Sequence, residues 1–114
     1  MAEMITMNCT LTTHIYGNGR IALRLMEDNG EEYGMLSTNI VDVELDEDMI
    51  TVPVWKLRPE ILDSQLATGK FEVTGLGVRT GHSVAPVWRV ICPDLLAKAG
   101  ALRNAAVEGL VSRV

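Results

Sequence analysis

From Ile5 to Ile15 the apolar side chains fall on alternate positions, Ile5, Met7, Cys9, Leu11 and Ile15, with Thr6, Asn8, Thr10, Thr12 and His14 between them. A period of two predicts a strand with one buried face. Gly17-Asn18-Gly19 breaks the run, and Arg20 to Glu27 resumes it with Ile21, Leu23 and Leu25 on one face. Asn29-Gly30 then predicts a two-residue hairpin loop, because a type I′ turn needs positive φ at both central positions. That loop sets Asp28 against Glu31, Met26 against Tyr33 and Leu23 against Leu36 on the core face. A third strand is expected from Tyr33 to about Leu45, ending at the solvated acids Asp46-Glu47-Asp48. A fourth is expected over Met49 to Trp55, where Pro53 lacks an N–H and marks an edge or a bulge.

The period then changes. Pro59 suits a first helical position, Ile61, Leu62 and Leu66 follow at helical spacing, and Gly69 suits the residue beyond the end, which predicts a helix over Pro59 to Thr68. Alternation returns in the stretch FEVTGLGVRTGHSVAPVWRVI, Phe71 to Ile91, which reads as a central hairpin. Its apolar parity flips at Gly75, and a one-residue β-bulge accounts for that. Thr80-Gly81-His82-Ser83 forms the turn. The return strand is apolar on both faces, with Val84, Trp88 and Val90 on one and Ala85, Val87 and Ile91 on the other, so its second side needs a cover. The natural cover is a C-terminal helix over Asp94 to Arg113, with Leu95, Ala99, Leu102, Ala106 and Leu110 in one stripe. Gly100 and Gly109 each weaken that helix by about 1 kcal/mol. Its Leu96, Val107 and Val111 lie off the stripe and offer a surface for self-association, a homodimer through the helix.

These elements predict one α+β domain: an antiparallel sheet of about six strands, with a short middle helix and a longer C-terminal one. Residues 1–55 supply N-terminal strands, 56–69 the helix, 70–91 the hairpin and 93–113 the last helix. A length of 114 residues suits a single domain with a real core. No apolar run reaches the roughly 18 to 20 residues that span a bilayer, and the first residues lack the pattern of a secretion signal, so a cytoplasmic location is expected. Cys9 and Cys92 are accordingly expected as reduced, buried thiols rather than a disulfide.

Charge changes the picture more than composition does. Residues 1–55 hold ten acids and two bases, a balance of −8, whereas residues 56–114 hold eight bases and five acids, a balance of +3. An acidic first half repels phosphate backbones and suits a basic protein surface. Direct nucleic-acid binding is not expected. The candidate partner surface is Asp42, Glu44, Asp46, Glu47 and Asp48.

Candidate chemistry is sparse. His14, His82, Cys9 and Cys92 stand at no zinc-site spacing, the alternating acids lack the glycine and distal glutamate of a calcium loop, and His82-Ser83 has no nearby acid to complete a triad. No catalytic residue, metal or cofactor is predicted. The one basic group near a turn, Arg79, His82 and Arg89, is the candidate for a small ligand such as a nucleotide signal held in an oligomer.

The succession YGNGRIALRLMEDNGEEYGMLSTNI, VPVW with the short helix EILDSQLATG, and FEVTGLGVRTGHSVAPVWRV resembles a family of small proteins borne by phages, plasmids and other bacterial mobile elements. That family is catalogued as a domain of unknown function, and the likeness covers residues 15 to 91. It brings no catalytic residues. What it implies is a setting, in which a small acidic protein binds and blocks a host defence component such as a CRISPR or restriction effector. The expectation is therefore a non-enzymatic anti-defence inhibitor in the cytoplasm of a bacterial host. The alternatives are an oligomeric small-molecule binder and an accessory structural protein.

Overall fold

A computed structural model describes residues 9–111, with side chains from Cys9 to Val107. Six strands and two helices follow in the order β1 (Thr10–Ile15), β2 (Ile21–Met26), β3 (Glu32–Met35), β4 (Met49–Thr51), α1 (Pro59–Ala67), β5 (Phe71–Thr80), β6 (Ser83–Val90) and α2 (Pro93–Val111). A single 3-10 turn, Val54–Lys56, links β4 to α1. The strands form two antiparallel sheets of three, ordered β1-β2-β3 and β4-β6-β5, rather than the single six-stranded sheet expected. One bridge joins them. Thr38 N donates to Thr51 O at 2.8 Å and Thr51 Oγ1 donates to Thr38 O at 2.7 Å.

The division has a local cause. The expected third strand ran to Leu45, but its ladder stops at Met35, with Leu36 N still reaching Leu23 O at 2.9 Å and Thr38 already turned to β4. Between Thr38 and β4 the chain is held largely by arginine side chains rather than by a strand ladder. The fourth strand is likewise cut short at Thr51. Val52 N makes one more bond, to Pro86 O at 2.9 Å, and then Pro53, with no donor, starts the 3-10 turn. Of the expected first strand, residues 5–8 lie outside the described residues. The strand is seen from Thr10.

Both N-terminal turns use the same device. Tyr16 N bonds Arg20 O and Gly19 N bonds Tyr16 O, while Glu27 N bonds Glu31 O and Gly30 N bonds Glu27 O. Each loop thus has three residues, Gly17-Asn18-Gly19 and Asp28-Asn29-Gly30, ending on a glycine with φ of 85° and 87°. The second was expected as a two-residue loop. The one-residue difference is absorbed by a bulge at Tyr33, after which Leu25 faces Gly34 and Arg24 faces Met35 in the expected register.

Ile21, Leu23, Leu25, Leu36, Ile50, Val52, Ile61, Phe71, Trp88, Val90, Leu95 and Ala99 form one buried cluster between the sheets and helices. The Phe71 and Trp88 rings lie 5.6 Å apart, tilted by 46°. Three interior polar contacts are paired, with Ser37 Oγ accepting from Leu23 N at 3.0 Å, Tyr16 Oη donating to Ser37 O at 3.0 Å and Gln65 Nε2 donating to Cys9 O at 3.2 Å, whereas the buried Thr13 Oγ1 has no partner among the described residues. In β5 the bulge is larger than expected. Val73 faces Trp88 and Gly77 faces Pro86, so Thr74, Gly75 and Leu76 together oppose Val87. Thr74 Oγ1 replaces the lost ladder bonds, donating to Val87 O at 2.7 Å and accepting from Leu76 N at 3.1 Å.

The C-terminal helix does not cover the second face of β6 as expected. It lies against β1, and the 3-10 turn lies against β6, where Ala85 and Val87 are buried. Leu95 and Ala99 of the predicted stripe are buried, but Leu102 and Ala106 are exposed, and the side chain of Leu110 lies outside the described residues. Arg113, the expected helix end, lies outside them too. Among the described residues no helix is long and apolar enough to cross a membrane.

Candidate partner-binding loop

Residues 39–48 carry no strand or helix; Val90 N donates to Asp48 O at 2.7 Å and Asn18 Nδ2 to Asn39 Oδ1 at 3.1 Å, and further support is needed between these ends. Three arginines supply it. Arg20, immediately before β2, donates through Nη1 to Ile40 O at 2.5 Å and through Nη2 to Val43 O. Arg103, on α2, donates through Nε to Gly19 O at 2.6 Å and through Nη2 to Glu47 O at 2.8 Å. Arg89, on β6, places Nη1 2.7 Å from both Asp48 carboxylate oxygens and Nη2 3.6 Å from Asp46 Oδ2. The hydrogen bond that Arg89 donates to Asp48 raises the Arg89 pKa above its ordinary value; desolvation opposes this, and the charges of Asp48 and Asp46 add to the rise.

Two of these arginines grip backbone carbonyls and leave the acids uncompensated. Asp42 and Glu44 are exposed, and the Glu47 side chain is 89% exposed with its Oε2 a full 4.0 Å from Arg103 Nη1. Asp46 is 70% exposed with one long contact, whereas Asp48 is the most engaged of the five. The predicted acidic surface therefore divides: Asp42, Glu44 and Glu47 point to solvent, and Asp46 and Asp48 hold the loop.

The predicted basic group does not assemble. Arg79 pairs with Val84 at the turn end of the hairpin, next to the exposed His82, while Arg89 faces Glu72 and Met49 at the other end. Five β6 positions separate the two ends, about 17 Å at 3.3–3.4 Å per residue, and the odd spacing puts Arg79 and Arg89 on opposite faces. Of the predicted self-association residues, Leu96 is half-buried against the core, Val107 is 59% exposed, and the Val111 side chain lies outside the described residues. Cys9 and Cys92 are both free and half-buried. No group of three or more metal-capable side chains occurs among the described residues.

Arg20 and Arg103 were missed as anchors. Arg20 read only as the residue at which the second strand resumes after the turn. Arg103 carried a signal, since it stands four and eight residues after Ala99 and Leu95, on the stripe of α2 that faces the protein. A charged residue on a buried stripe calls for buried acceptors, and Gly19 O and Glu47 O are those acceptors. No family model, no curated protein and no solved structure matches the chain.

Proposed function

We propose that the protein acts by binding, presenting the 39–48 loop to a basic surface of a host defence protein. The observation that supports this reading is the loop's suspension: it is fixed from behind by Arg20, Arg89 and Arg103, while Asp42, Glu44 and Glu47 face outward. A loop ordered before it meets its partner avoids part of the ordering cost of association. Its free carboxylates steer a basic patch, such as the nucleic-acid groove of a CRISPR or restriction effector, and that attraction falls as salt screens it. The mobile-element setting comes from the family resemblance.

The test is phage plating on a host with its defence systems intact and on the same host with them deleted. Expression of the protein is expected to raise plating only on the defended host, and Asp42→Asn, Glu44→Gln and Glu47→Gln together are expected to abolish the gain while leaving the protein folded. If the triple variant protects as well as the parent, the acidic loop is not the binding surface. The alternative of a nucleotide pocket at Arg79, His82 and Arg89 is favoured by no observation, because the three do not converge.

A further inference from the structure

Two clefts meet at Arg103. One, of about 200 Å³, opens toward the acidic loop and includes Asp46 and Glu47 in its wall. The other, of about 280 Å³, lies between the β1–β2 turn and α2; Ile15, Ala106 and Val107 give it apolar walls, the Gly17–Gly19 turn closes its rim, and no carboxylate among the described residues lines it.

The guanidinium at the seam is oriented but not spent. Its Nε and Nη2 are directed by two neutral carbonyls, Gly19 O and Glu47 O, and the ion-pair contact of Nη1 is Glu47 Oε2 at 4.0 Å. An Arg side chain only 23% exposed thus keeps donors without a closer partner among the described residues, at the edge of an apolar cleft. Such a group favours an anion, because charge-assisted hydrogen bonds are about twice as strong as neutral ones and a planar guanidinium matches a carboxylate. The backbone N–H groups of Gly17 and Asn18, the central residues of the turn, carry no hydrogen bond among the described residues. They are further donors at the same rim.

We propose that the cleft between the β1–β2 turn and α2 binds a small amphiphilic carboxylate, with its head on the Arg103 guanidinium and a short hydrocarbon body against Ile15, Ala106 and Val107. The volume lies just below the roughly 300 Å³ at which small-molecule clefts begin, which selects a short body. A single negative charge is selected over a phosphate dianion, because Asp46 and Glu47 stand on the far side of the same guanidinium and repel added charge. The site does not depend on the acidic loop binding a protein.

The experiment is an amide-resonance titration of the full chain with hexanoate, with hexan-1-ol and acetate as controls and the molecular mass followed throughout. Hexanoate is expected to shift the amides of Ile15 to Gly19 and Arg103 to Val107 at millimolar concentration, with both controls about tenfold or more weaker. Arg103→Met is expected to remove the preference for hexanoate over hexanol. Because that variant also cuts the ties to Gly19 and Glu47, Ala106→Leu serves as a second probe, filling the cleft with Arg103 intact and weakening hexanoate by a similar factor. Absence of shifts at about 10 mM, hexanol binding as tightly as hexanoate, undiminished binding to Ala106→Leu, or shifts that appear only with a doubling of mass each overturn the proposal.

Discussion

Arg89 and Asp48 stand 41 residues apart and meet with one guanidinium nitrogen 2.7 Å from each carboxylate oxygen. The contact ties the end of the acidic loop to β6 just where β4 begins its ladder, since Val90 N also donates to Asp48 O at 2.7 Å. A double-mutant cycle of Arg89→Met and Asp48→Asn is expected to show favourable coupling at low salt that shrinks when ionic strength rises from about 0.05 M to about 0.5 M. Coupling that is zero at both salts removes Arg89 from the anchoring of the loop and leaves it to Arg20, Arg103 and the Val90–Asp48 backbone bond.

Gly77 is the glycine that packing demands. A Cβ built there comes within 2.8 Å of Val84 Cγ1, closer than real contacts allow, and a β-branched valine relieves this only by leaving its preferred χ1 rotamer or by a backbone shift. Gly77→Ala is expected to cost about 1 to 3 kcal/mol in urea unfolding. Val84→Ala in the same chain is expected to return most of that, because Val84 is itself 52% exposed and contributes little burial. A cost that persists in the double variant places its cause in the backbone rather than in the Val84 contact.

Periodicity made the strands and helices legible, and neighbours set their limits. Ile21, Leu23 and Leu25 announced a strand face and are all buried; Pro59 and Gly69 bracketed α1. Leu36 opposite Leu23 was also readable, and it survives because the Tyr33 bulge cancels the longer turn. What could not be read was how far a strand runs, because a β pattern continues in sequence after its partner strand has ended. Val41, Val43 and Leu45 alternate like a strand, yet among the described residues no strand pairs with them, and Arg20 holds the segment through Ile40 O and Val43 O instead. The acids of the candidate site were visible as charge. Their division into outward and anchoring groups was not, since it depends on Arg89 and Arg103, which are 41 and 56 residues away from Asp48 and Glu47.

The two three-residue turns separate backbone need from chance composition. Gly19 and Gly30 hold φ of 85° and 87°, whereas Gly17 does not have positive φ and an added Cβ there meets nothing within 4 Å. Gly30→Ala is expected to cost about 1 to 2 kcal/mol through the left-handed conformation alone. Gly17→Ala is expected to be neutral or to stabilise by up to about 1 kcal/mol through the unfolded chain. Equal effects of the two substitutions in thermal unfolding contradict the turn geometry.

Burial, and then the charges of Glu27 and Asp28, raise the Cys9 thiol above its ordinary value of 9.0. The folded state therefore keeps this proton where the unfolded chain has released it. The resulting stability is complete below the unfolded value and is lost as pH rises through the folded one. Denaturation midpoints are expected to fall between about pH 8 and about pH 10 with a slope that is smaller in Cys9→Ala, and a slope unchanged in that variant assigns the alkaline loss elsewhere.

Gly100 lies inside α2 without positive φ, and a Cβ added to it meets nothing within 4 Å. It is also flanked by the two features that fix the helix, the buried Ala99 before it and the anchored Arg103 after it. Alanine there satisfies the helix without disturbing either, so Gly100→Ala is expected to stabilise the protein by about 1 kcal/mol, a rise of roughly 4 °C in Tm for a chain of this size. The gain depends on α2 being continuous through this point in the native state, since a helix formed only up to Ala99 gives the alanine no helical backbone to favour. Amide exchange supplies the independent reading: protection at Arg103 to Val107 is expected to rise in Gly100→Ala together with Tm. A rise in Tm without added protection there locates the gain in the first turns of α2 and denies the distal half a stable helix.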